Sequence, residues 1–137
     1  MRYITGIHAL NLPCSLLTCG DWHSPALQWE NPVSRDSEDS FFGDYGIEMC
    51  SVVPKHEGAC AVANHIRALL DLLELGDISL AQGMRRDFIC NEEYTEVLFD
   101  KVAQMRFLPH WQDIDKFMGS EYYGKWLNFK REAEVEV

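Results

Sequence analysis

One stretch limits the choice of fold more than any other. Residues 59–75, ACAVANHIRALLDLLEL, place Val62, Ile66, Leu69, Leu70 and Leu73 at helical spacing, and Gly76 follows as the expected stop. Asn64, Arg67, Asp71 and Glu74 fall on the other side. The spacing predicts one amphipathic helix over the whole segment, with a wet polar face.

The chain before this helix reads differently. Residues 2–10, RYITGIHAL, are β-prone at their start and predict a buried strand running into a loop, with His8 bonded to a backbone carbonyl. Asp21 or Ser24 can cap a short helix with Pro25 in its first turn. Residues 30–40 have almost no apolar content and predict a surface loop, and residues 41–53 contain a strand. Beyond Gly76 the pattern is helical. A weak helix falls over 78–84, and another starts at Asn91 with Tyr94, Leu98, Val102 and Met105 as its stripe. Pro109 opens a helix that carries Trp111, Ile114 and Met118 and ends at Gly119. Ser120 caps a last one with Tyr122, Tyr123, Trp126 and Leu127. The 137 residues form one domain, with no repeat or linker. The expected class is α+β: a small N-terminal β and loop region packed on a C-terminal part of about four to five helices.

Charge narrows the function. Asp and Glu number 22 against 12 Lys and Arg, a net charge of −10. A field of that sign repels phosphate backbones, disfavours nucleic acid and suits a basic protein partner. No stretch is long and apolar enough to span a membrane as a helix, so no membrane partner is expected. Residues 3–20 lack charged side chains, but His8, Asn11 and Pro13 interrupt the apolar run, against a secretory leader. Five cysteines close no even disulfide framework. The chain reads as a cytoplasmic protein with reduced thiols.

The segment with most chemistry is residues 13–23, PCSLLTCGDWH, and three uses compete for it. A metal site would draw on Cys14, Cys19 and His23, with a fourth donor from Cys50, His56, Cys60 or His65. No C-x2-C pair supports it, and small buried thiols are the commoner outcome, so neither metal nor cofactor is expected. A cysteine enzyme would use Cys19 with His23 or His65 as base, but Asp21 beside Cys19 opposes a thiolate. The third use is a recognition surface. Asp21, Trp22, His23 and Trp29, with Asp36, Glu38, Asp39, Phe41, Phe42, Asp44 and Tyr45, mix rings and acids on two glycine-turned loops. The competing account of the tryptophans is that they close the core over the long helix.

Taken in order, YITGIHALNLPCS, CGDWH, FGDYGIE, ANHIRALLDLLE and FICNEEY resemble a group of small bacterial proteins over most of the chain. Such proteins are associated with short gene clusters that also encode a predicted ADP-ribosyltransferase-like toxin. The resemblance implies an antitoxin or accessory role and brings no established catalytic residues. The expected protein is therefore non-catalytic and partner-binding. The alternative is a small cysteine- or metal-dependent enzyme using Cys19 and His23.

Overall fold

The computed structural model describes residues 1–20 and 23–133. Four short strands form one mixed sheet in the order β2-β1-β4-β3. They are β1 (Arg2–Ile4), β2 (Ser34–Asp36), β3 (Ile47–Cys50) and β4 (Cys60–Ala63). The central pair β1 and β4 is parallel, and each edge strand runs antiparallel to its neighbour. The helices are α1 (Gly6–Leu10), α2 (His65–Leu75), α3 (Met84–Asp87), α4 (Thr95–Gln104), α5 (Trp111–Tyr122) and α6 (Gly124–Ala133). The class is α+β, with strands in the N-terminal half and helices after them, as the sequence led us to expect.

The long helix is shorter than its periodicity predicts. Residues 60–63 are β4, and the helix starts only after Asn64, whose side chain accepts from the Arg67 amide at 2.8 Å. A CAVA run satisfies a buried strand as well as a helix, and the cap at Asn64 decides between them. Gly76, with φ of +85°, ends α2 as expected. The wet face does not exist: every residue from 65 to 73 is buried, Arg67 and Asp71 among them.

Other boundaries move for local reasons. The expected strand over 2–10 stops at Ile4, and residues 6–10 turn into α1. His8 does bond backbone: its Nε2 donates to the Gln28 carbonyl at 2.8 Å while its Nδ1 accepts from Val33 N at 3.0 Å. Residues 34–36, read as loop, add an edge strand to β1. The 78–84 helix divides into a 3-10 turn at Ile78–Ala81 and the short α3. α5 runs through Gly119 and Ser120, and the break falls at Tyr123, whose φ is +52°. The alternating tail at 131–137 reads as an added strand or a frayed end; residues 131–133 instead close α6, and 134–137 lie outside the described residues.

The C-terminal helices close on an aromatic cluster. Trp126 is fully buried, its ring 5.1 Å from Phe99 and 6.2 Å from Trp111. Its indole N–H donates to Asp115 at 2.8 Å, which also takes Lys130 at 2.7 Å, so the polar edge of the ring is satisfied. Among the described residues no helix is long and apolar enough to cross a membrane.

Candidate functional site

The polar stripe of α2 holds the expected recognition loop in place. Arg67 carries five N–H donors, and each finds an acceptor. Nε donates to Asp71 at 3.0 Å, and Nη1 to the carbonyls of Gly43 (2.7 Å) and Tyr45 (2.5 Å). Nη2 donates to Tyr3 Oη (2.8 Å) and Ser40 Oγ (2.6 Å). Asp71 is matched in turn. Its Oδ1 takes Arg67 and Arg35, and its Oδ2 takes the hydroxyls of Tyr3 (2.6 Å) and Thr5 (2.7 Å). Burial and the bond to Asp71 push the Tyr3 phenol up to about 12, so it stays a donor at any ordinary pH.

A second arginine extends the clamp. Arg35, on β2, forks onto Glu74 at 3.0 and 3.2 Å and donates to the Asp39 carbonyl at 3.1 Å. Glu74 accepts the Phe41 amide at 3.1 Å. Gly46 lets the chain pass this close: its φ is +73°, and a Cβ there would lie 2.7 Å from the Cβ of Arg67. The buried Arg67 therefore fixes the backbone at residues 43 and 45, and the partly buried Arg35 and Glu74 fix it at 39 and 41.

What the loop presents is narrower than the expected patch. Glu38, Asp39, Phe41 and Asp44 are exposed. Phe42 and Tyr45 are half-buried against the core, and the Lys101 ammonium sits 4.0 Å from the centre of the Tyr45 ring. Asp36 is partly exposed and engaged locally, accepting the Glu38 amide and the Met1 amine, both at 3.1 Å. These two donors pull its carboxyl below the usual range. Trp29 is a correction. At 8% exposure it belongs to the core, edge-on to His8 at 4.8 Å, and it is not a contact residue. His23 is half-buried and exchanges backbone bonds with the Asn11 amide at 3.0 and 3.2 Å. Asp21 and Trp22, central to the expected surface, lie outside the described residues.

The thiol chemistry is also relocated. Cys19 is exposed. The thiol that meets an imidazole is Cys14, whose Sγ lies 3.5 Å from Thr18 Oγ1, itself 2.5 Å from His65 Nδ1. His65 is fully buried, and its Nε2 donates to the Leu12 carbonyl at 2.6 Å. Burial alone would push the Cys14 thiol up. The pull of the His65 ring and the Thr18 hydroxyl outweighs it and brings the thiol down to about 7. Burial likewise works against a charged His65, and the nearby Cys14 sulfur and the Leu12 carbonyl reverse the sign and raise it. Among the described residues no three His, Cys, Asp or Glu side chains gather to hold a metal ion, so Cys14, Cys19 and His23 do not converge.

No family model matches the chain, and no curated protein or solved structure does.

Proposed function

We propose that the protein is a non-catalytic binding protein that uses its 38–44 loop to hold a basic protein partner in the cytoplasm. One observation carries this reading: two arginines and two acids are spent inside the protein on fixing a loop whose outer side is acidic and aromatic. A loop needed only to connect two strands has no use for such a clamp. A loop held in one shape before binding avoids the ordering cost that a mobile one meets on association. Phe41, at 45% exposure, supplies apolar area at the centre. Glu38, Asp39 and Asp44 around it, backed by a net charge of −10, favour encounter with a positive surface.

The resemblance to proteins encoded beside a predicted ADP-ribosyltransferase-like toxin supplies a candidate partner and the role of antitoxin. The test is affinity capture from the native host with wild type and with Phe41→Ala/Asp44→Lys. Wild type should retain one stoichiometric basic protein. The double variant should lose it, by roughly 100-fold or more in affinity, while its far-UV circular dichroism and melting temperature stay unchanged. Equal capture by both, or no stoichiometric partner for wild type, rules the reading out.

A further inference from the structure

A second feature lies apart from the loop and does not rest on the binding reading. Residues 13–20 cross the N-terminus of α2, and this crossing is pinned at several points. Glu48 accepts both Ser15 N (2.8 Å) and Ser15 Oγ (2.6 Å), and Tyr94 Oη donates to the Leu16 carbonyl at 2.8 Å. Gly20 presses the chain against the His65 ring. Its φ is +77°, and a Cβ there would lie 3.0 Å from His65 Cε1 and 2.4 Å from the Leu10 carbonyl oxygen. The imidazole is thus sealed from water, and the half-buried Cys14 is the thiol its relay reaches.

The bonds fix the protons. A carbonyl only accepts, so His65 Nε2 carries hydrogen toward Leu12 O. In the neutral ring Nδ1 then accepts from the Thr18 hydroxyl. Thr18 Oγ1 keeps a lone pair for the Cys14 S–H. Nucleophile, relay, base and an acceptor that orients the base stand in line, the arrangement that marks an activated nucleophile.

We propose that Cys14 is a nucleophilic thiol set to attack a small soft electrophile of the hydroperoxide class, with Thr18 and His65 as its proton relay. Half-burial and a pinned loop favour a reagent of few atoms. In the step, the S–H proton passes to Thr18 Oγ1 as the Thr18 proton passes to His65 Nδ1, leaving thiolate and imidazolium. The thiolate attacks one peroxide oxygen, the S–O bond forms and the O–O bond breaks. The leaving hydroxide takes a proton back along the same path and departs as water. Sulfur is oxidised by two electrons to the sulfenic acid and the peroxide is reduced, so thiol plus hydrogen peroxide gives sulfenic acid plus water. The Glu48 carboxylate on β3 adds its negative charge to the field at His65 and favours the imidazolium.

The test uses the full chain at pH 7, dilute hydrogen peroxide, dimedone as trap and peptide mass spectrometry. Cys14 should label roughly tenfold faster than the more exposed Cys19 and Cys90, because its thiol has the Thr18–His65 relay to take its proton. The midpoint of its pH–rate profile should lie near 7. Thr18→Val should slow Cys14 by about tenfold and move that midpoint up toward the ordinary thiol value of about 8.5. Thr18→Ser should restore both. If Cys19 or Cys90 labels as fast as Cys14, the proposal is overturned. It is overturned equally if folded Thr18→Val keeps the wild-type rate and midpoint. Should Thr18→Val fail to fold, the comparison among the wild-type thiols decides alone.

Discussion

Arg67 and Asp71 are the side chains on which the N-terminal half turns. A buried ion pair is a poor source of net stability, because desolvation offsets much of the attraction. Removing one partner is another matter, since it strands a charge. Asp71→Ala should therefore cost roughly 3–5 kcal/mol in urea unfolding, well above an ordinary surface change. Arg67→Met/Asp71→Leu should cost clearly less than the sum of its single variants, which a double-mutant cycle measures. This pair was not legible as buried, because Arg and Asp at i and i+4 are the usual marks of a solvated helix face. A signal was present: between positions 65 and 73 only His65, Arg67 and Asp71 are not apolar, too narrow a polar stripe for a face in water. The Cys14–Thr18–His65 relay was legible only in part: His65 stood as a candidate base, but for Cys19 and not for Cys14. Its base lies 47 positions beyond Thr18, and it takes the folded chain, with the 13–20 segment laid across the start of α2, to bring them together.

Among the elements, the helices with clean apolar spacing were readable and their ends less so. Leu98, Val102 and Met105 are fully buried, as the spacing of α4 requires. The break between α5 and α6 was misplaced by four residues, because Gly119 and Ser120 look like a stop and a cap. Neither acts as one, since Ser120 Oγ instead bonds the Phe117 carbonyl at 2.8 Å inside the helix. The true break carries strain that a sequence pattern does not display. Tyr123 sits at φ +52° and ψ −128°, a conformation glycine takes freely, and its side chain is 69% exposed. Tyr123→Gly should relieve this at little packing cost and raise stability by about 1 kcal/mol, seen as a higher urea midpoint with an unchanged slope.

Over the whole molecule, α2 is the element that every part leans on. It packs against α1, β4 and α4, and its side chains reach the loop and β1 as well. Opening it means opening the protein. Native-state hydrogen exchange should find the amides of residues 69–73 the slowest, at the free energy of global unfolding, with α6 exchanging sooner. Fast exchange in α2 would mean that the two halves unfold separately. The α+β class was legible from helical spacing beyond residue 64 and β-prone segments before it, although β2 read as loop and β4 as helix. Which rings face outward was not legible, because an exposed ring and a core ring look alike in one dimension: Trp29 is inside and Phe41 outside.

The guanidinium of Arg67 grips carbonyls that belong to a segment some two dozen positions earlier in the chain. A protease that nicks the peptide between Ser40 and Tyr45 would thus do more than loosen a surface turn. It would let the severed ends swing away, strip a cation in a dry interior of the acceptors at Ser40, Gly43 and Tyr45, and propagate one surface cut into loosening of the N-terminal half.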